Sequence, residues 1–187
     1  KLQERLCDFS KAKYALCCSS GTDAIVLGLQ GLGIKPLDGV IVPSFTFASS
    51  AEAVSILGGV PIFSDVDKET FNLYPGAILK SIETAKKDNI RLKGIMTVGL
   101  FGQPCDMDPI IEIAKNNKIW VLDDAAQSFG GKYKNKFVGT LTEVTATSFF
   151  PAKPLGCYGD GGALFTNNKN IYDIAYSAHL HGMGKNR

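Results

Sequence analysis

The chain has little of what announces a metal or a nucleotide. Only two histidines occur, His179 and His181, and none of the five cysteines forms a Cys-x-x-Cys pair, so no zinc site of ordinary spacing is offered and no metal is expected. His179 and His181 stand two apart, a spacing that would put both on one strand face, but a polar segment near the chain end is the plainer reading. There is no Walker A loop and no Gly-x-Gly-x-x-Gly, which removes the familiar nucleotide motifs. A run of 18 uncharged apolar residues is also missing, so nothing reads as a membrane span. Neither sign of charge dominates. Lys plus Arg is 20 against 18 for Asp plus Glu, a net charge of +2. The basic residues are scattered apart from Lys86–Lys87 and the last few positions, which argues against nucleic acid or an anionic membrane as the main partner. The segment from Lys1 to Lys11 is charged and helical in pattern, which is wrong for a signal peptide. With an odd cysteine count (Cys7, Cys17, Cys18, Cys105, Cys157), this favours a reducing, cytoplasmic location.

What is present is ordinary globular usage over 187 residues: 45% hydrophobic, 10% aromatic, 20% charged. Leu2, Leu6 and Phe9 recur at helical spacing over residues 2–10. Short apolar runs then alternate with helical patterns. Strands are expected at 14–18, 39–42, 60–65, 92–98, 119–122, 146–150 and 162–166. Helices are expected at 23–31, 47–57, 75–86, 107–116 and 169–178, with Gly58–Gly59 ending the second of these and Asp106 or Asp108 opening the fourth. Cys17 and Cys18 sit in an apolar run and read as small hydrophobes. Strands that are solid apolar runs, alternating with helices, predict an α/β fold: a three-layer α/β/α sandwich around a mostly parallel sheet. In such folds the ligand site lies beyond the carboxyl ends of the strands.

Four post-strand segments carry chemistry-grade residues. Ser19-Ser20-Gly21-Thr22-Asp23 offers free N–H groups at a helix start, suited to a phosphate, or is a simple cap. Pro43-Ser44-Phe45-Thr46-Phe47-Ala48 puts aromatics after a strand, where they could stack on a planar ring; taken alone, core packing is the better reading for both phenylalanines. Asp123-Asp124-Ala125-Ala126-Gln127 follows an apolar strand with two carboxylates, either a cap and a solvated neighbour or a carboxylate aimed at a cation in the cleft. Lys153, between Pro151 and Pro154 and ahead of a Gly-rich turn from Gly156 to Gly162, could be a Schiff-base lysine or a surface residue. Together they supply a phosphate cradle, an aromatic plate, an acid for a ring nitrogen and an amine for an aldehyde. That is the parts list of a pyridoxal 5'-phosphate site.

In these four segments, 19–24, 43–48, 123–130 and 148–163, the sequence resembles the DegT/DnrJ/StrS family of nucleotide-sugar aminotransferases, fold type I pyridoxal phosphate enzymes, over about residues 4–182. The resemblance implies that Lys153 carries the cofactor and later shuttles the proton, and that Asp124 keeps the ring nitrogen protonated, with Asp123 structural. Gln127 would stand on the ring-hydroxyl side and Phe47 against the ring face. Gly21, Thr22 and the Ser148 hydroxyl would hold the phosphate. Sugar dehydratases of the family carry histidine in place of the lysine, so Lys153 favours transamination.

The stretch 149–163 is most similar to the branch acting on UDP-linked 3-oxo or 4-oxo N-acetyl sugars, with the 3-oxo-glucuronate enzymes of O-antigen synthesis nearest. Glutamate would be the amino donor, and the full-length form would be a homodimer. Where the family often has histidine, this chain has Gly99. The resemblance also makes residues 1–187 the large, cofactor-binding domain, with the C-terminal small domain absent from this chain. Two other readings stand beside it: a cofactor-binding but catalytically incomplete fragment, and another fold type I enzyme such as a lyase.

Overall fold

A computed structural model describes residues 1–183; the basic positions at the end of the chain lie outside them. Among the described residues, nine strands and six α-helices follow the expected alternation. They are α1 (Leu2–Ser10), β1 (Tyr14–Cys18), α2 (Gly21–Gly31), β2 (Asp38–Pro43), α3 (Ser49–Ile56), β3 (Val60–Ser64), α4 (Pro75–Lys87) and β4 (Arg91–Val98). A 3-10 turn at Leu100–Gly102 leads to α5 (Met107–Asn117), β5 (Trp120–Asp124), a small hairpin of β6 (Lys132–Tyr133) and β7 (Lys136–Phe137), then β8 (Val144–Ser148), β9 (Gly162–Thr166) and α6 (Lys169–His179).

Seven strands make one sheet in the order β1-β9-β8-β5-β4-β2-β3. The pairs from β3 through β8 are parallel, and β9 alone runs against both of its neighbours. Parallel strands need crossover connections, and the helices that make them cover both faces. On one face Ile25 and Leu29 of α2, Val54 of α3 and Ala175 of α6 pack on Leu122, Val144 and Leu164. On the other, Ile78 and Ile82 of α4 and Ile110 of α5 pack on Ile41, Ile95 and Val121. Leu6 of α1 joins Phe129, Phe149 and Phe165 in a smaller cluster on the flank. The result is the expected three-layer sandwich. Cys17 and Cys18 are half-buried against these clusters, as small hydrophobes.

Several boundaries differ from the sequence reading. Helix α2 starts two residues early because Ser20 caps it, its Oγ accepting from the Asp23 N–H at 3.0 Å. Strand β5 takes in Asp123 and Asp124, two residues beyond the expected end at Leu122. Strand β8 covers 144–148 rather than 146–150, and Phe149 and Phe150 turn away into the next loop. His179 closes α6 and His181 follows it with a left-handed backbone (φ 58°), so the two share no strand.

Strands β1, β2, β3, β4, β5 and β8 point the same way, so Cys18, Pro43, Ser64, Val98, Asp124 and Ser148 end along one rim. Every chemistry-bearing segment leaves from that rim.

Candidate active site

At the rim lies a cleft of about 510 Å³. Gly21, Thr22, Phe47, Asp124, Gln127, Ser148 and Lys153, all seven residues singled out from the sequence, line it. They come from four separate chain segments, so their meeting is a property of the fold and not of sequence proximity.

The floor is the start of α2. The Ala24 N–H is taken by the Ser20 carbonyl and the Asp23 N–H by the Ser20 hydroxyl, while the first two N–H groups, of Gly21 and Thr22, have no protein partner among the described residues. A helix N-terminus with open donors is a ready anion site. Ser148 closes against it so tightly that a Cβ on Gly21 would sit 2.7 Å from the Ser148 Cβ and 3.2 Å from its Oγ. Gly162 presses on the same turn from β9, where a side chain would run into the Ser20 carbonyl. Glycine at 21 and 162 is therefore what lets a hydroxyl and two N–H groups converge.

Asp124 stands at the end of β5 and is 5% exposed. Its Oδ1 accepts from the Ala126 N–H at 3.1 Å and its Oδ2 from the Ser50 hydroxyl at 3.2 Å. Burial raises its pKa above the ordinary value, while these two bonds and the Lys153 ammonium pull the other way. A carboxylate held ready by two donors, with a lysine acting on it across the cleft, suits a cationic partner such as a protonated ring nitrogen. Asp123 points to the opposite face, as strand alternation requires, and is fully buried. Its carboxyl is pushed up to about 7 by burial, helped by the neighbouring Asp124 charge and opposed by the Thr97 hydroxyl bond.

The turn from Ala125 to Gly130, closed by Ser128 and Phe129 N–H groups on the Ala125 carbonyl, turns Gln127 into the cleft. The loop after β8 is pinned by the Phe149 N–H on the Gly161 carbonyl at 2.7 Å and the Lys153 N–H on the Phe150 carbonyl at 2.8 Å. That loop sets Lys153 in the wall. Phe45 and Phe47 are 50% and 73% exposed, so the core-packing reading fails for both, and Phe47 reaches the cleft instead. Their backbone leaves the sheet at Pro43, beyond the last strand neighbours that could bury them.

Sequence reasoning missed Ser50, Thr46 and Ser49. The Ser50 hydroxyl, fully buried, lies 3.1 Å from Thr46 Oγ1 and donates onward to Asp124. The only available signal was a pair of serines at the start of an otherwise apolar helix, which reads as a cap.

An anion cradle, an amine on a fixed loop and a buried carboxylate fit a ligand with a phosphate, an aldehyde and a basic ring nitrogen, which is the chemistry of pyridoxal 5'-phosphate. Comparison with known proteins agrees. The chain is 44% identical over 185 residues to the UDP-2-acetamido-2-deoxy-3-oxo-D-glucuronate aminotransferase of Pseudomonas aeruginosa, covering 99% of this chain and 50% of the relative. It is 39% identical over 184 residues to a GDP-perosamine synthase of Escherichia coli O157:H7, covering 98% of this chain and 48% of the relative. A DegT DnrJ EryC1 StrS aminotransferase from Brucella abortus superposes with a TM-score of 0.95 at 40% identity, over 99% of this chain and 50% of that one. The chain thus spans about half the length of the relatives it matches. With the family's own pattern matched across residues 1–187, the chain belongs to the DegT/DnrJ/EryC1/StrS aminotransferase family, whose enzymes depend on pyridoxal phosphate.

Proposed function

We propose that the protein is a pyridoxal phosphate-dependent aminotransferase that moves an amino group from glutamate to a UDP-linked keto sugar, a 3-oxo or 4-oxo N-acetyl sugar, for surface polysaccharide synthesis. The observation that carries the reading is the convergence of Lys153 and Asp124 in one cleft with the open N–H groups of Gly21 and Thr22. The sugar side is supported by the relative at 44% identity, whose name gives a UDP-linked 3-oxo sugar acid, and by one at 38% identity named for a UDP-linked 3-dehydro sugar; another relative carries a GDP sugar in its name.

Each residue has one task in this reading. The Gly21 and Thr22 N–H groups and the Ser148 hydroxyl hold the phosphate. Phe47 covers one face of the ring and keeps water from it. Gln127 serves the ring-hydroxyl side. Asp124 keeps a proton on the ring nitrogen. The cofactor, when bound, supplies an aldehyde that captures amines and a cationic ring that withdraws electrons from the neighbouring carbon. Lys153 would hold it through Nζ, and the same Nζ would be placed to move a proton at the cleft wall. For the whole protein the reading includes a homodimer and a cytoplasmic location.

The test is a pair of half-reactions. The cofactor-loaded protein should lose its visible absorbance with glutamate and regain it with a UDP-linked keto sugar. No loss with glutamate would remove the donor from the reading. Recovery only with a keto acid, and never with a nucleotide sugar, would move the protein to another class of aminotransferase.

A further inference from the structure

Asp123 has no task in the reading above, yet it is one of the most confined ionisable groups of the described chain. Its register partners are Thr97 of β4 on one side and Thr145 of β8 on the other. All three residues are fully buried. Residues in register on adjacent strands share a face, so they form one polar row across the sheet, on the side away from Asp124. Half of the row is bonded: Thr97 Oγ1 donates to Asp123 Oδ1 at 2.7 Å. The other half is not. Asp123 Oδ2 and Thr145 Oγ1 are buried and have no partner. No ion pair reaches Asp123 among the described residues.

A carboxylate in this place would be a buried charge with no cation and an unpaired oxygen, which is costly. A carboxylic acid would not be, provided that its proton finds an acceptor. The neighbouring strand lies about 4.8 Å away and offers an unpaired hydroxyl oxygen, which is not bonded to Oδ2 as it stands and meets it only when the Thr145 side chain turns to another staggered rotamer. We propose that Asp123 is held as a neutral acid and that a turn of the Thr145 side chain lets Oδ2 donate to Thr145 Oγ1, which closes the Thr97–Asp123–Thr145 row and leaves Asp124 as the sole negative charge at this end of β5. Asp123 is then a positioning residue: two adjacent carboxylates disfavour each other's ionisation, and the neutrality of one lets the other stay charged for the ring nitrogen. This function rests on the role proposed for Asp124.

The titratable groups that bear on Asp123 are Asp124 on its own strand and Cys105 in the segment between β4 and α5. Burial pushes the Cys105 thiol up to about 12, and it donates to the Val98 carbonyl, so it adds no charge near neutrality. Lys153 acts on Asp124.

The experiment is an NMR pH titration of the protein labelled with ¹³C at the aspartate carboxyls, with and without cofactor, Asp123 being assigned by its loss in Asp123→Asn. The expected Asp123 resonance at pH 6 is that of an acid. Thr145→Val removes the acceptor that favours the acid and should lower the midpoint by roughly half to one pH unit. Thr97→Val removes a donor that favours the carboxylate and should raise it. Thr145→Ser keeps the hydroxyl and should restore the original midpoint. An ionised resonance at pH 6 overturns the proposal. So does a midpoint that Thr145→Val raises or leaves in place, since the hydroxyl would then be a donor to a carboxylate or inert. With cofactor bound, Asp123→Asn should leave the pH midpoint of the cofactor absorbance unmoved; a shift would mean that it replaced a charge, and would equally overturn the proposal. Failure of the Asp124 assignment is separately visible, as a cofactor absorbance insensitive to Asp124→Asn with the Asp123 titration intact.

Discussion

The Ser50 hydroxyl, fully buried on α3, donates to Asp124 Oδ2 at 3.2 Å. Ser50 is 74 positions away in sequence, and its other contact, Thr46 Oγ1 at 3.1 Å, lies one turn back on the same segment. The helix that follows β2 therefore fixes the orientation of a carboxylate on β5, and it does so from the same segment that brings Phe47 to the cleft.

Ser50→Ala should weaken the ionised form of Asp124. A hydrogen bond to a charged group contributes about 1.5–3 kcal/mol, so kcat/KM should fall on the order of tenfold to a hundredfold. Loss of a bond that lowers the Asp124 pKa also moves the acid limb of the rate profile to higher pH. An unchanged profile would separate Ser50 from the chemistry.

Asp124→Asn keeps the shape and removes the charge. The expected loss in kcat is on the order of 10²–10³-fold, the scale of a removed electrostatic partner, with the fold intact by circular dichroism. Steady-state rates with glutamate as donor check it.

Lys153 should be the one lysine that borohydride links to the cofactor, since it alone among the lysines lines the described cleft. Peptide mapping after reduction reads the site directly. Lys153→Ala should abolish the label, and label on another lysine with none on Lys153 would reassign the wall of the cleft.

Much of this site was legible because the strands are apolar runs and the chemistry follows them. Lys153 and Gly21 could be found by looking just past a strand, and the fold then brought them together. The end of the strand that carries the two aspartates was misplaced for a physical reason. Charge at the end of an apolar run signals a solvated loop, and only the threonines on both neighbouring strands, Thr97 and Thr145, show how a carboxyl can stay inside. Neighbours across a sheet are not encoded in one strand's own sequence. The same holds for the reversed direction of β9, whose apolar run reads like any parallel strand. The hairpin of β6 and β7 is two residues a side and partly exposed, too short and too polar to leave a period.

Gly21→Ala opposes two effects. Alanine is the better helix former by about 1 kcal/mol, but at this position its Cβ would stand 2.7 Å from that of Ser148. Overpacking of that kind costs about 1–3 kcal/mol and pushes Ser148 away from the cradle. Cofactor affinity should fall, read by equilibrium dialysis or fluorescence. Gly159→Ala, in the loop after Lys153 and with open space where its Cβ would go, is the control and should bind as the parent does.

Asp123 also makes stability depend on pH, and the sign can be worked out. Its folded pKa is about 7 against an ordinary value of 3.8, because burial disfavours the charge more than the Thr97 bond favours it. Between these values the folded state holds a proton that the unfolded state has released, so stability falls as pH rises. The contribution is fully present below 3.8, declines through the interval, and is lost above about 7. At about 1.4 kcal/mol per pH unit the change amounts to a few kcal/mol. Asparagine cannot titrate, so Asp123→Asn should lack this slope while keeping those of every other group, including Asp124. Urea unfolding at several pH values between 4 and 8 gives the comparison. The stability of the parent relative to the variant should be greatest at pH 4, drop by a few kcal/mol on the way to neutrality, and then level off. A difference that stays flat, or one that grows with pH, would mean that Asp123 is ionised in the folded protein.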